Sequence, residues 1–325
     1  MVGNAHPLSF SFIYFRMSGR NHHTLPRFWQ KEFASQIKGK GKKEKVFTCL
    51  YLKNQDVKED ISTKDIGSTR DFYGKDSSIN ADPEITKLEN SFLSAIIRRI
   101  RSSPEGEIVN HEIPEFVVHL YARSEYIRDS KVEVYEQIRR GFHNSVDTKK
   151  FAGLNDDMSL REKIIFSTRI KHYFDQRLEL FMKSVPEDHI NSLSIDLIPK
   201  ALLEKQKALK WFVVHSKIPL ILGDVRFLLK EESGNFIPWY DRSSPAMDVF
   251  VPISKNVILI GTISNQMQNI NFWDFRREYS KWCRKYFICS ENTQEIRLLS
   301  SNIGRKLKPF IRKYSKQMLV QYFKG

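Results

Sequence analysis

Cysteine is scarce in this chain: Cys49, Cys283 and Cys289 are the only three in 325 residues, and no CxxC pair occurs. Three thiols cannot build a disulfide framework, and their rarity suits a reducing compartment, so a cytoplasmic location is expected. Long apolar runs are missing too. The longest, such as Ile218–Leu222 and Val257–Ile260, fall far short of the ~20 residues that a membrane helix needs, so no transmembrane segment is expected. The chain contains no GxSxG, HExxH, GxGxxG or GxxxxGKS/T, and its GKGKK stretch has the wrong spacing for a P-loop. Acidic side chains are outnumbered, with 38 Asp+Glu against 53 Lys+Arg, which leaves a formal net charge of 53 − 38 = +15.

Apolar residues are nevertheless plentiful. At 41% hydrophobic and 28% charged, with 23 Phe, the composition describes a chain with a sizeable core rather than a disordered one. The length suits one or two domains. Leu8–Phe15 is apolar, but no basic segment precedes it and no small-residue cleavage site follows, so it reads poorly as a signal peptide. An edge strand, or upstream sequence ahead of an alternative start at Met17, both fit; residues 1–20 are therefore set apart as an extension.

Periodicity organises the rest. Val46–Leu52 reads as a buried strand, and residues 53–84 as strand fragments joined by loops around a DFYG island at 71–74. Asp82-Pro83-Glu84 resembles a helix start, and Ile85, Leu88, Phe92, Ala95 and Ile96 then recur at helical spacing up to Pro104. A single stripe from Ile113 through Phe116, Val117, Leu120, Tyr121 and Ser124 to Ile127 predicts a second helix from about Pro114. Further helices are expected over about 130–142, 160–183 and 198–209. After Lys210 strands return at 211–215 and 219–223, and 249–253 should form an antiparallel hairpin with 257–262. A helix from about Phe272 to Ile288 follows, then another from Ile303 onward. Strands from both ends of the chain with helices between and after them predict an α+β fold, its mixed or antiparallel sheet built from N- and C-terminal strands. Residues 21–290 are read as one domain and 291–325 as a basic helical tail.

The positive charge is concentrated. Residues 271–325 hold thirteen Lys+Arg and four Asp+Glu, or 13 − 4 = +9. On the helix expected from Asn271, Phe272, Phe275, Tyr279, Trp282 and Tyr286 share one face, and Arg277, Lys281, Arg284 and Lys285 lie opposite as a cationic ridge. Together with Lys40, Lys42 and Lys43 of the GKGKK stretch, this ridge can track phosphates, which points to a nucleic-acid partner bound without sequence choice. An ordinary solvated helix face fits the same pattern.

The most unusual short stretch is Asn21-His22-His23-Thr24-Leu25-Pro26-Arg27-Phe28. Two adjacent imidazoles before a Pro can converge from a turn, to bind a divalent metal or to serve as general acid and base; in a strand they would face opposite ways. His22-His23-x-x-Pro26-x-Phe28 followed by Phe33 resembles the opening motif of a large, mainly prokaryotic family, domain-of-unknown-function family 4238. Leu88-Glu89 resembles that family's acidic helix, Arg123 and Arg128 its basic helix, Leu222-Gly223-Asp224 its strand ending in Asp, and Val251-Pro252-Ile253-Ser254 its late strand. His119 departs from it, standing where a Gln is expected. The resemblance implies an architecture and a residue shortlist, with no reaction attached.

On that shortlist His22, His23, Glu89 and Asp224 are the ligand types for a divalent metal, and Arg123 and Arg128 could hold a scissile phosphate. Without metal, a His would act as general base and an Arg would stabilise the phosphorane. The expected function is therefore a nuclease, a ribonuclease or a metal-dependent enzyme of a bacterial toxin or phage-defence system; the alternative is a non-catalytic nucleic-acid-binding or protein-interaction module.

Overall fold

Residues 249–253 and 257–262 are apolar at almost every position, a pattern suited to strands buried on both faces rather than to an amphipathic surface sheet. In the computed structural model of the chain they form the centre of the larger sheet. The structure describes residues 21–39, 45–70, 82–147, 157–191, 199–239, 244–264, 266–267 and 269–324, with the backbone alone at 21, 22, 70, 82–84, 184–191 and 321–324. The expected basic tip with Lys40, Lys42 and Lys43, the DFYG island and residues 1–20 lie outside them.

The N-terminal part contains β1 (Asn21–His23), α1 (Arg27–Gln30), β2 (Gln36–Lys38), β3 (Lys45–Leu52), β4 (Val57–Ser62) and β5 (Ser68–Arg70). The middle is mostly helical: α2 (Asp82–Leu88) continues through a π-helical stretch (Glu89–Leu93) into α3 (Ser94–Ser102), then come β6 (Gly106–Glu107), α4 (Glu112–Ala122), α5 (Glu125–Asp147), α6 (Leu160–Asn191) and α7 (Lys200–Lys207). The last part brings β7 (Lys210–His215), β8 (Leu222–Gly223), β9 (Leu228–Lys230), β10 (Phe236–Ile237), β11 (Asp248–Ser254), β12 (Val257–Thr262), α8 (Phe272–Trp282), β13 (Tyr286–Cys289), α9 (Gln294–Ser300) and α10 (Leu307–Lys324).

The fold is α+β with antiparallel sheets. One runs β10-β9-β11-β12-β7-β6, a second β2-β3-β13-β8 with β4 on β3, and β1 pairs with β5. The two ends of the chain meet in the second sheet, where β3 pairs with β13 in the register Cys49↔Cys289 and Tyr51 stacks on Phe287 at 5.0 Å. Across the sheets, Trp29 Nε1 donates to the Pro252 carbonyl at 3.0 Å, and the Thr48 hydroxyl reaches the carbonyls of Phe33 and Cys289 at 2.9 and 3.0 Å. These are buried groups, and each finds its partner across a long stretch of sequence. α10 packs on α5, its Ile311 and Leu307 buried.

Three boundaries differ from the pattern-based expectation. The helix expected to run to Ile288 stops at Trp282, because Tyr286–Cys289 is drawn into the sheet between β3 and β8. Arg284 and Lys285 therefore sit on a loop and not on a helical ridge. The single stripe from Ile113 to Ile127 is two helices, broken at Arg123-Ser124. Of the apolar run 219–223, only Leu222–Gly223 is strand. Ladder bonds to β3 and β8 hold Tyr286–Cys289 as strand, and at the helix break the carbonyls of Leu120 and Arg123 accept from the Arg226 guanidinium.

Candidate active site

Of the two alternatives for His22-His23, the strand is the one found: residues 21–23 pair with Ser68–Arg70, with His22 opposite Thr69 and His23 opposite Ser68. The side chain of His22 lies outside the described residues. That of His23 is half-buried, and its pKa is lowered from the ordinary 6.5, first by burial and then by the Arg27 charge; a hydrogen bond to the Ile66 backbone and the fields of Glu89 and Asp65 oppose this only in part. The ring is neutral at pH 7. Immediately after it, the Thr24 amide donates to the Gly67 carbonyl at 2.7 Å and the Thr24 hydroxyl at 2.9 Å. Gly67 has φ +60°, and a Cβ there would stand 2.5 Å from Tyr286 Oη, so both conformation and space require glycine.

Glu89 opens the π-helical stretch and ion-pairs with Arg123, one of the largest fully buried side chains. A guanidinium at 1% exposure is tolerable only against a carboxylate and further acceptors. Two residues on, Glu125 at the first turn of α5 collects the Thr69 hydroxyl and the Lys285 ammonium, both at 3.0 Å, and shares the single Thr24 hydroxyl proton with the Gly67 carbonyl, at 3.1 Å. Burial alone would raise its pKa, yet Lys285, Thr69 and Thr24 hold it below the ordinary value, so Glu125 is ionised at neutral pH. Lys285 also reaches Asp129 at 3.3 Å. Arg128 contacts Asp129 at 3.4 Å and Glu125 at 4.0 Å.

Asp224 acts on this group from behind. Its two oxygens accept the backbone N–H groups of Arg284 at 2.8 Å and Lys285 at 2.6 Å, which fixes the loop that carries Lys285. Burial pushes its pKa up to about 6, against the pull of those N–H groups and of the two side-chain cations.

The shortlist therefore converges in part. Glu89 pairs with Arg123 and its charge is felt at His23, while Arg128 and Asp224 connect through Lys285 and Glu125 to Thr24, the neighbour of His23. Among the described residues, no group of three or more His, Cys, Asp or Glu side chains is placed to hold a metal ion, so Glu89 and Asp224 do not form part of a described metal centre with His23. Glu125 was not singled out by the sequence, because the stripe from Ile113 to Ile127 hides the helix start at which it stands. Arg226 gave no signal: it is fully buried at φ +68° and its guanidinium donates to the carbonyls of Leu120 and Arg123 at 2.6 and 2.7 Å.

The cationic ridge is divided and largely matched by acids. Arg284 and Lys285 turn to carboxylates of α5, with Arg284 3.5 Å from Glu133. Arg277 pairs with Asp274 at 2.6 Å and Lys281 with Glu278 at 3.0 Å, both at the mouth of a separate cleft.

His119 lies beneath this region at 2% exposure, and burial followed by the Arg123 charge lowers its pKa to about 4. Between pH 6.5 and about 4 the unfolded chain takes up a proton that the folded chain refuses, so this group's contribution falls as acid is added, by on the order of 3 kcal/mol. Asp224 works with the opposite sign, since its folded pKa is raised. The comparison with His119→Gln isolates the imidazole: in urea unfolding, the stability of the natural protein relative to the variant should drop across that window. A pH-independent difference would show that His119 is not held neutral.

The chain belongs to the family described as "Protein of unknown function (DUF4238)", whose profile matches residues 21–278. No curated protein and no solved structure matches it. Among the described residues, no helix is long and apolar enough to cross a membrane.

Proposed function

We propose that this protein cleaves RNA without a metal ion, with His23 as the general base. The supporting observation is the position of Glu125, which accepts hydrogen bonds from Thr24, the neighbour of His23, and from the partly exposed Lys285. That places a cation beside the strand carrying a neutral imidazole. His23 would take the proton of a ribose 2′-hydroxyl while the 2′-oxygen attacks phosphorus. The 5′-oxygen leaves with a proton from solvent water, giving a 2′,3′-cyclic phosphate and a 5′-hydroxyl, and His23 returns its proton to the resulting hydroxide. Lys285 and Arg128 would stabilise the extra negative charge of the phosphorane, and the field of Glu89 would favour the imidazolium formed when His23 takes the proton. Such an activity suits a toxin or phage-defence effector.

The test is cleavage of an oligoribonucleotide in EDTA. His23→Ala should lower the rate by about 10²–10⁴-fold at unchanged melting temperature. The matching DNA strand, which has no 2′-hydroxyl, should stay intact. Because the pKa of His23 lies below 6.5 and the base must be deprotonated, the rate should fall only on the acid side of that value. Full activity in His23→Ala, or loss of activity in EDTA, would overturn the reading.

A further inference from the structure

On the far edge of the six-stranded sheet, the β9–β10 hairpin, β11 and α8 enclose a cleft of about 330 Å³, which shares no residue with the His23 cluster. Its size lies in the range of small-molecule sites. Among the described residues four cations line it, Lys230, Arg277, Lys281 and Lys306, against two carboxylates, Asp274 and Glu278, so this lining carries 4 − 2 = +2. Glu278 alone serves both Lys281 and Lys306. Burial would raise its pKa, yet those two ammonium groups hold it low, so it remains a single negative charge between two positive ones. Each ammonium has three donors and uses only part of them on Glu278.

The floor has the opposite character. Phe236, Phe250 and Phe275 meet there, with Phe236 5.2 Å from Phe250 at 76° and 6.1 Å from Phe275 at 68°. Phe236 is half-buried and lines the cleft. A cationic rim with an excess of two charges matches a phosphomonoester, which carries about −1.5 to −2 at pH 7. An aromatic floor matches the π-face of a base, whose stacking is sequence-tolerant. Inorganic phosphate would satisfy only the rim and a neutral aromatic compound only the floor.

We propose that this cleft binds a nucleoside monophosphate unit, its base on Phe236 and its phosphate among Lys230, Lys281 and Lys306. The unit can come from a free nucleotide or from the phosphorylated 5′ end of a strand. The proposal does not depend on RNA cleavage by His23, and the His23→Ala protein should bind equally well.

Calorimetric titration of the full chain with adenosine 5′-monophosphate tests it. Binding is expected, with inorganic phosphate and adenosine each at least tenfold weaker. Phe236→Ala and Lys230→Ala should each weaken the monophosphate at least tenfold; Phe236 lies on the edge strand and Lys230 on the strand beside it, and Lys306→Gln gives a third variant outside the sheet. A 5′-phosphorylated oligoribonucleotide that competes where its 5′-hydroxyl counterpart does not identifies a strand end as the source; failure of both to compete identifies the free nucleotide. No heat or displacement at millimolar monophosphate, phosphate alone binding as tightly, or equal affinity in all three folded variants would overturn the proposal.

Discussion

Arg226→Ala should cost the protein about 3–5 kcal/mol of stability, read as a shift of the urea midpoint at constant slope. The side chain is fully buried and its two guanidinium nitrogens hold the carbonyls of Leu120 and Arg123, at the end of α4. Those carbonyls have no further helical turn to receive them, and a cation there also answers the negative end of the helix dipole. Removing it strands two buried acceptors at once, at roughly 1.5–3 kcal/mol for each charged hydrogen bond. The backbone offers an internal control. Arg226 sits at φ +68°, a left-handed conformation that costs a side-chain-bearing residue roughly 1–2 kcal/mol. Arg226→Gly loses the same hydrogen bonds but relieves that strain, so it should be less damaging than Arg226→Ala by about 1 kcal/mol. A loss under 1 kcal/mol in both variants would mean that the α4 terminus does not need the guanidinium.

Glu89→Ala should destabilise by a similar amount, about 3–5 kcal/mol, because it removes the carboxylate facing a guanidinium at 1% exposure. The double variant Glu89→Leu/Arg123→Met is expected to be more stable than Glu89→Ala alone, since two apolar side chains of similar volume avoid the uncompensated charge. The coupling between the two positions, measured by a double-mutant cycle, should then exceed about 1 kcal/mol. Additive effects would show that the pair is no energetic unit. The same variants separate fold from chemistry: His23→Ala leaves this pair intact, so it should lose cleavage without losing stability, whereas Glu89→Ala should lose both.

Much of the architecture was legible along the chain, and the reasons are local. The strand pair 249–253 and 257–262 announced itself because both runs are apolar throughout, and they are neighbours in a hairpin whose register a short turn decides. The helix ending at Pro104 was legible from its start signal and its stripe, and the structure ends α3 at Ser102. The site was legible only in pieces. His23, Glu89 and Arg123 were named from motif and resemblance, but Glu125, which ties Thr24 to Lys285, gives no pattern of its own, its helix start being hidden within the stripe from Ile113 to Ile127.

The sequence by itself determined the α+β class, the helical middle and the excess of positive charge, since each depends on composition or on periodicity within one segment. Tertiary structure alone decided that a stripe running through Arg123 breaks there, that Tyr286–Cys289 leaves the helical pattern for a sheet, and that Arg277, Lys281, Arg284 and Lys285 face carboxylates of α5 and α8. These outcomes turn on buried hydrogen bonds and ion pairs between residues as far apart as Thr48 and Cys289 or Glu125 and Lys285. A partner so distant along the chain leaves no period to read, and the free energy that selects it exists only once both groups have left water.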